Sequence, residues 1–264
     1  MLKDKRILSN QKLWDSKVAS HFKSEFYRIN DFINGWNSLN TIEKDLLGDV
    51  NGKKILHLQC HFGQDTLSLQ RMGAKCVGVD FSLNAINQAK ELNVSLALDA
   101  EFIYADVLHL GILDQGPFDI VYTSYGTIGW LPNLNDWAKS ISTNLKTGGK
   151  FIFVEFHPFI WTFDNDLKKI TYPYFNRIDI VEEESISYAD NNSNGIKTIT
   201  WNHSLGEIYQ SLKSEGLVII DFNEFDYSPY NCMPNLEEVE KGKYKFKHLN
   251  SEIPMTYSIV AVKQ

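Results

Sequence analysis

The chain has 264 residues, and its 33 Asp and Glu outnumber its 26 Lys and Arg, which gives a net charge of −7 at pH 7. Apolar residues make up 43% and charged residues 22%, the composition of a globular domain with a sizeable core. The acidic balance argues against a general binder of nucleic acid or anionic membranes, because neutralising phosphates requires a basic surface. No apolar run approaches the ~20 residues that a membrane-spanning helix needs.

The cysteines and the N-terminus indicate the compartment. Cys60, Cys76 and Cys232 show no C-x-x-C spacing, and any pairing would leave one over. Reduced thiols are therefore expected. The segment from Met1 to Asn10 is polar and charged, without the apolar region of a signal peptide. We expect a cytoplasmic protein.

The first segment, from about Leu8 to Leu47, has a helical pattern rich in aromatic residues. Apolar side chains recur there at helical spacing: Leu13, Trp14, Val18, Phe22, Phe26 and Tyr27. Asn34-Gly35 interrupts the pattern, and Gly48 with Asn51-Gly52 ends it. Residues 1–50 are predicted to form a helical cap on the domain that follows.

From Lys53 onward, short apolar runs alternate with amphipathic helical patterns. The predicted strands are Lys54–Leu58, Cys76–Asp80, Phe102–Tyr104, Phe118–Tyr122 and Phe151–Phe156. The predicted helices are Asp65–Met72, a helix that Ser82 caps, and Leu134–Leu145. Apolar strands that alternate with helices indicate a parallel sheet covered on both faces. Residues 51–160 are thus predicted to be the core of a doubly wound α/β domain.

The remaining chain is predicted to complete the same single domain. Residues 161–200 place short apolar runs around the turn signal Asn191–Gly195, with Ile178, Ile180, Ile186 and Tyr188 before it. This pattern predicts an antiparallel excursion inserted in the domain. Residues 201–264 contain a helical pattern from Leu205 to Gly216 and two predicted strands, Leu217–Phe225 and Thr256–Val262.

Polar residues follow the first three predicted strands of the core. The first leads into Gln59-Cys60-His61-Phe62-Gly63 directly before a helix, the second ends in Asp80, and Asp106 follows the third. Ligands of open α/β sheets bind beyond the carboxyl ends of the strands. An acidic residue roughly twenty positions after the first turn is placed to meet a ribose hydroxyl pair. The spacing predicts a site for an adenosine-containing ligand.

These segments resemble the class I S-adenosylmethionine-dependent methyltransferases. The matching runs are Ile55–Gly63, Gly78–Ser82, Ala105–Asp106, Phe118–Val121 and Thr147–Phe151. Further runs are similar to a little-characterised bacterial subgroup of that family: Leu56–Gly63, Tyr125-Gly126, Trp130–Pro132 and Glu155–Pro158. The resemblance covers about Lys53 to His157. It implies a Rossmann-like, seven-stranded, mostly parallel sheet with a reversed C-terminal hairpin, and S-adenosylmethionine as cofactor.

The resemblance also implies a role for individual residues. Asp80 would bind the ribose hydroxyls and Phe81 the adenine face, while Asp106 and the Val107 backbone would contact the adenine amino edge. The methionine moiety would be lined by Gln59, His61, Gly63 and Ser124. Tyr27 is where such enzymes often place a hydroxyl on the cofactor carboxylate, although a core aromatic residue is an equal interpretation.

The first motif departs from the family pattern at three positions. His57 stands where the family usually has an acidic residue, and Gln59 and His61 stand where it has glycines. Gly63 keeps the pattern. Side chains at Gln59 and His61 either narrow the space for the methionine end of the cofactor or supply new contacts to it.

Candidate catalytic residues follow the fourth and fifth strands. Methyl transfer from a sulfonium is an in-line displacement, so alignment of the reactants dominates. Tyr125 and Trp130 are placed to stabilise the sulfonium charge or to stack a planar substrate, with lid packing as the alternative. His157 is predicted as a base or hydrogen-bonding group, and His203, with Glu207 one turn on, as a second. A structural role is the alternative for both histidines.

Two other kinds of site are disfavoured. No metal site is predicted, because the histidines and cysteines show no ligand spacing. The run Lys241–His248 interleaves lysines with aromatic residues, which suits an RNA contact. A lysine-protected edge strand is the favoured interpretation of that run, and no N/D-P-P-Y/F motif for RNA methylation follows the fourth strand.

The sequence therefore predicts a methyltransferase that acts on a small molecule, as a monomer or homodimer, without a nucleic-acid or membrane partner. A nicotinamide-dependent oxidoreductase is one alternative, because Asp80 suits its ribose too. Against it, the turn lacks the second glycine that lets the backbone approach a pyrophosphate. A protein that binds S-adenosylmethionine without transferring methyl is the other alternative, given the altered first motif.

Overall fold

The computed structural model describes residues 4–183, 189, 197–247 and 253–264. The strands, in chain order, are β1 (Lys54–Leu58), β2 (Lys75–Asp80), β3 (Glu101–Tyr104), β4 (Phe118–Ser124), β5 (Leu145–Phe156), β6 (Ile180–Glu183), β7 (Lys197–Thr200), β8 (Leu217–Phe225), β9 (Leu236–Glu240), β10 (Lys243–Phe246) and β11 (Thr256–Lys263). Seven of them form one sheet in the order β3-β2-β1-β4-β5-β11-β8. Neighbours from β3 to β5 are parallel, whereas β11 is antiparallel to both β5 and β8. The predicted fold class is confirmed.

The strand order explains where a ligand site lies. The chain runs outward from β1 to β3 and then returns to place β4 on the other side of β1. Loops that leave β1 and β4 therefore diverge to opposite faces, which opens a crevice at the carboxyl ends of these two strands. The segments after β1, β2, β3 and β4 all reach this edge.

The helices are α1 (Lys5–Lys23), α2 (Ile29–Ile33), α3 (Thr41–Leu47), α4 (Gln64–Arg71), α5 (Leu83–Ser95), α6 (Asn135–Asn144) and α7 (Leu205–Ser214). The first three form the predicted cap. Arg28 separates α1 from α2 with a left-handed φ of 48°, and Gly48 ends α3 with a φ of 60°. The Asp4 side chain caps α1 by accepting from the Arg6 N–H at 2.8 Å.

Apolar residues pack on both faces of the sheet. One face holds fully buried Trp137 of α6 and Ile208 of α7, with Trp137 against Phe151 and Phe153. The other face packs residues of α3, α4 and α5 against β1 and β2. Ser82 caps α5 as predicted, accepting from the Ala85 N–H at 3.1 Å. Covered faces account for the continuous apolar character of the strands.

The start of β5 differs from the predicted strand boundary, at a pair of glycines. β5 begins at Leu145 rather than Phe151, so Gly148 and Gly149 lie inside it instead of forming a separate turn. The register with β4 shifts between Phe118 and Ile120, next to this pair. A Cβ on Gly149 would lie 2.8 Å from the Lys146 carbonyl oxygen, so the irregular start of β5 requires glycine there.

Two small antiparallel pairs accompany the main sheet. β6 pairs with β7, which agrees with the predicted excursion, although Asn191–Gly195, Ile186 and Tyr188 lie outside the described residues. The lysine-rich run forms β10, which pairs with β9 in a separate hairpin instead of extending the edge of a larger sheet. Lys243 and Lys245 pair with Glu240 and Asp226. His248 lies outside the described residues. Within the described ranges, none of the helices is long and apolar enough to span a membrane.

Candidate active site

The loop after β1 has the conformation of a glycine-rich turn with only one of its glycines. Gln59, His61 and Gly63 all have positive φ angles, of 54°, 50° and 76°. A Cβ on Gly63 would lie 2.4 Å from the Phe102 ring, so this position requires glycine. Left-handed backbone costs a residue with a Cβ about 1–2 kcal/mol. Surrounding contacts must hold Gln59 and His61 in it.

Two hydrogen bonds hold this loop in place. The Gln59 amide donates to the Thr127 carbonyl oxygen at 2.8 Å, which ties the β1 loop to the loop after β4. The His61 N–H donates to Oδ2 of Asp80 at 2.8 Å, which ties it to the end of β2. The side chain of Gln59 therefore extends towards β4, and its own Oε1 has no hydrogen-bond partner among the described residues.

Asp80 is a buried carboxylate whose two oxygens are already oriented. Its second oxygen, Oδ1, accepts from the Ser82 N–H at 2.8 Å. Burial raises the pKa of Asp80 to about 6, while the Ser82 and His61 N–H bonds act in the opposite direction. Each carboxylate oxygen has further acceptor capacity, so Asp80 can still accept hydrogen bonds from a ligand.

A small cavity, of about 20 Å³, brings together residues from the ends of β1, β2, β3 and β4 with one residue of α1. It is lined by Ile7, Gln59, Phe81, Asp106, Val107, Trp130 and Leu131. Gln59, Phe81, Asp106 and Val107 are four of the nine predicted cofactor contacts. Asp106 is oriented by the Leu108 N–H, which donates to its Oδ1 at 3.0 Å.

The cap covers this cavity through α1. Ile7 lines it, and the Gln11 amide donates to the carbonyl oxygen of Phe81 at 2.8 Å. Trp14 packs edge-on against both Trp130 and His61, with ring centroids 5.3 and 5.4 Å apart. The cap therefore completes the predicted ligand site instead of only shielding the sheet.

A group of basic residues and rings surrounds His61 at the predicted methionine end. The ring of Tyr27 lies 5.7 Å from His61 and stacks on His21 at 5.6 Å, and Lys17 lies in the same region of α1. Burial, reinforced by His21 and Lys17, lowers the pKa of His61 well below its usual range. The positive charges of Lys17 and His21 would stabilise a carboxylate that binds here. Tyr27 is at the predicted end of the site.

Ser124 ends β4 and lies opposite Val154 of β5, half-buried beside the crevice. The next residue, Tyr125, has a positive φ of 39° and donates its N–H to the Val154 carbonyl oxygen at 2.8 Å. Its ring contacts Phe156 and Tyr230, with centroids 5.4 and 5.1 Å away. Tyr125 is therefore the first residue of the loop that leaves β4 at the crevice.

Glu155, which the sequence showed only as part of a motif, holds the β4 loop. Its buried carboxylate accepts from the N–H groups of Gly126, Thr127 and Phe156, the latter two at 2.7 Å, and from the Thr127 hydroxyl at 2.9 Å. Burial raises the pKa of Glu155, and these hydrogen bonds oppose the rise. The carboxylate thus fixes the backbone between Tyr125 and Trp130.

The two histidines predicted as catalytic are engaged elsewhere. His157 is buried; its Nδ1 accepts from the Phe159 N–H at 3.1 Å, and its Nε2 lies 2.9 Å from Glu224 of β8. Burial lowers its pKa, against the effect of Glu224. This geometry favours the structural alternative, because both ring nitrogens face protein partners.

His203 is likewise fully enclosed. Its Nε2 lies 2.8 Å from the Leu131 carbonyl oxygen, and its Nδ1 lies 3.0 Å from Glu207 Oε1. The imidazole therefore contacts the backbone of Leu131 and does not line the cavity to which Leu131 contributes. Over the parts of the chain that the structure describes, no three His, Cys, Asp or Glu side chains form a metal-binding group.

Comparison with known proteins agrees with the fold. Residues 55–149 match the family model described as a methyltransferase domain. Over 114 residues, 42% of its length, the chain is 37% identical to an uncharacterized methyltransferase of Synechocystis sp.. Over 99 residues, 37% of its length, it is 32% identical to the sterol 4-C-methyltransferase of Caenorhabditis elegans. The chain spans 51% and 29% of the lengths of these two relatives.

A solved structure extends the similarity to most of the chain. The S-adenosylmethionine-dependent methyltransferase from Mesorhizobium loti has a TM-score of 0.60 at 18% identity, with 88% of this chain and 100% of that chain covered. At that identity the likeness concerns the fold. The sequence match, in contrast, contains the loop after β1, Asp80 and Asp106. Residues 55–149 therefore match a methyltransferase domain, and the chain has the fold of S-adenosylmethionine-dependent methyltransferases.

Proposed function

We propose that the protein transfers the methyl group of S-adenosylmethionine to a small-molecule acceptor. The observation that carries the proposal is a cavity in which Gln59, Phe81, Asp106 and Val107 meet directly beyond the ends of β1, β2 and β3. Asp80 immediately precedes Phe81, with a carboxylate that two backbone N–H groups orient.

The residues present fit the parts of this cofactor. Phe81 offers an apolar ring to adenine, and Asp106 offers a carboxylate oxygen to its amino group. Asp80 offers acceptors to two ribose hydroxyls. Lys17, His21 and His61 surround the end of the site where the cofactor carboxylate would lie. Bound here, S-adenosylmethionine supplies an electrophilic methyl group on a positively charged sulfur.

The chain itself supplies alignment and an aromatic environment. Glu155 and Gln59 fix the β4 loop, so Tyr125 and Trp130 hold defined positions at the crevice. Aromatic rings stabilise a nearby cation by ~0.5–2 kcal/mol each. Because the sulfonium leaving group is already good, holding the acceptor in line with the methyl group provides most of the rate acceleration.

Three observations support a small acceptor. The cap covers the cavity through Ile7 and Trp14, which leaves limited space for a macromolecule. Rings of Phe26, Tyr230, Tyr125 and Phe156 follow one another at centroid distances between 5.1 and 5.7 Å. The Caenorhabditis elegans relative is a sterol methyltransferase by name. An enclosed aromatic surface suits a compact acceptor with an apolar part.

The Asp80→Ala variant tests the site. Calorimetric titration with S-adenosylmethionine should show a loss of ~1.5–3 kcal/mol in binding free energy, because hydrogen bonds to a charged group are removed. Asp99→Ala is the matched control, since Asp99 is exposed, bonds Gln70 and lies before the amino end of β3. Unchanged affinity in a folded Asp80→Ala protein would contradict the assignment.

A further inference from the structure

Tyr125 belongs to a second group of residues, whose carboxyl and hydroxyl groups the reaction proposed above leaves unused. We call Glu43, Asp65, Tyr122, Tyr125 and Tyr230 the acid–tyrosine cluster. Glu43 is in α3, Asp65 is in the first turn of α4, Tyr122 is in β4, and Tyr230 lies between β8 and β9. Electrostatic interactions link Glu43 and Asp65 with Tyr122 and Tyr230. Four distant segments thus converge beside the β4 loop.

The cluster contains buried oxygens that lack partners. Glu43 is fully buried; the Asn40 amide donates to its Oε1 at 3.2 Å, but its Oε2 has no hydrogen-bond partner within the described residues. The Tyr122 hydroxyl also lacks an aligned partner, although Ser124 lies near enough to lower the pKa of Tyr122. The Tyr125 hydroxyl lies near enough to Glu43 to lower the pKa of that carboxyl, without the alignment of a full hydrogen bond. Buried polar atoms normally have partners, so Oε2 of Glu43 indicates a missing donor.

The negative charge of the two carboxyl groups in the cluster is only partly compensated. Burial and the neighbouring Asp65 charge raise the pKa of Glu43 to about 7. Burial likewise raises the pKa of Asp65, which the Ser38 hydroxyl and the exposed Lys44 partly oppose. A buried carboxyl group whose pKa a neighbouring carboxylate raises favours a cation beside it.

The cluster is partly exposed and bordered by aromatic rings. Asp65, Tyr125 and Tyr230 are half-buried, whereas Glu43 and Tyr122 are fully buried beneath them. Phe156 lies against Tyr125, and Phe26 lies against Tyr230. Aromatic faces attract ammonium groups. Carboxylates at the base and rings at the sides are complementary to an amine.

We propose that the acid–tyrosine cluster binds the ammonium group of an amine-bearing methyl acceptor. The inference rests on the proposed function, because Tyr125 borders both the cluster and the crevice. An ammonium group has three N–H donors for the oxygens of Glu43, Asp65 and Tyr122, and its charge offsets the two carboxylates. The α-ammonium group of the cofactor has the same chemistry, so the test separates these two sources.

The test compares two probes of equal shape on protein saturated with S-adenosylhomocysteine: 2-phenylethylamine and the neutral 2-phenylethanol. Calorimetry above the pKa of Glu43 should show the amine binding about tenfold more tightly than the alcohol, the scale of one charge-assisted hydrogen bond. Glu43→Gln and Asp65→Asn should each remove most of this preference. S-adenosylmethionine affinity should stay within about twofold in both variants.

A control variant and three contrary results complete the test of the amine site. Glu91→Gln, on the exposed face of α5, should keep the full preference for the amine. Equal binding of both probes to the wild-type protein, or binding of neither at millimolar concentration, overturns the proposal. A large loss of S-adenosylmethionine affinity in Glu43→Gln, with the amine preference intact, assigns the cluster to the cofactor and also overturns it. Failure of the wild-type protein to bind S-adenosylhomocysteine contradicts the proposed function itself.

Discussion

The backbone N–H of His61, in the loop after β1, donates a 2.8 Å hydrogen bond to Oδ2 of Asp80, at the end of β2. This bond joins the strained β1 loop to the carboxylate that we propose to bind the ribose. Since the Ser82 N–H fixes the other oxygen, the Asp80 side chain is ordered before any ligand binds. Preorganisation of this kind reduces the entropy cost of binding.

The raised pKa of Asp80 predicts a pH dependence of cofactor binding. Its carboxyl is ionised above about pH 6 and protonated below. A protonated carboxyl loses acceptor capacity for the ribose hydroxyls, so S-adenosylmethionine affinity should be complete above this pH and fall as the pH decreases through it. Neutral His61 does not titrate in this range, because its pKa is far lower. Calorimetric titration across this range measures the change, and Asp80→Asn should abolish it. A flat wild-type profile would contradict the prediction.

Glu155→Gln should destabilise the protein by about 2–3 kcal/mol. The amide nitrogen of glutamine is a donor, and it would face either the N–H groups of Gly126 and Phe156, which now donate to Oε1, or the Thr127 N–H, which donates to Oε2. Urea denaturation measures the loss. Glu101→Gln is the control, because Glu101 is exposed and accepts from Gln115, and it should change stability by less than about 0.5 kcal/mol. Equal effects of the two substitutions would disprove the role of Glu155.

Gly63→Ala separates a steric requirement for glycine from a conformational one. The new Cβ would meet the Phe102 ring at 2.4 Å in addition to adopting a φ of 76°. Gly48→Ala adopts a φ of 60° with no atom within 4 Å of the new Cβ. The free energy of unfolding should fall by about 1 kcal/mol for Gly48→Ala and by about 2–4 kcal/mol for Gly63→Ala. Equal losses in thermal or urea unfolding would show that Phe102 moves aside without cost.

Glu43→Gln should stabilise the protein at alkaline pH. The pKa of Glu43 is raised from 4.5 to about 7, so the folded state binds the proton more tightly than the unfolded state. The free energy of unfolding therefore decreases as the pH rises from about 4.5 to 7, by on the order of 3 kcal/mol from this group. The glutamine variant lacks this decrease. Urea denaturation at pH values on either side of this window measures it, and parallel profiles of the two proteins would be inconsistent with a buried, titrating Glu43.

The strands and the residues that meet at their carboxyl ends were predictable because both depend on local patterns. Apolar runs between helices specify a parallel sheet, and parallel strands place Asp80, Phe81, Asp106 and Val107 at one edge whatever the packing details. The left-handed φ angles of Gln59 and His61 could not be predicted from the sequence, because residues with a Cβ rarely adopt them. Only their positions in the motif pointed to the loop.

The cap and the histidines show what sequence patterns leave open. Trp14, Lys17 and His21 recur at helical spacing, which predicts a face of α1 but not the surface that the face covers. The strand-end rule placed His157 at the correct edge, yet its side chain turns to Phe159 and Glu224. Glu43 lies far from the motifs in sequence, and only tertiary packing brings it to Tyr125. Side-chain direction at strand ends is set by contacts that no local pattern encodes.

The most direct test of the cofactor site is calorimetric titration of the purified protein with S-adenosylmethionine, S-adenosylhomocysteine and NADH in parallel. The arrangement of Asp80, Phe81 and Asp106 predicts micromolar binding of the two sulfur-containing ligands and no binding of NADH. Preferential binding of NADH would contradict the proposed transferase, and binding of none of the three would show that Gln59 and His61 close the site.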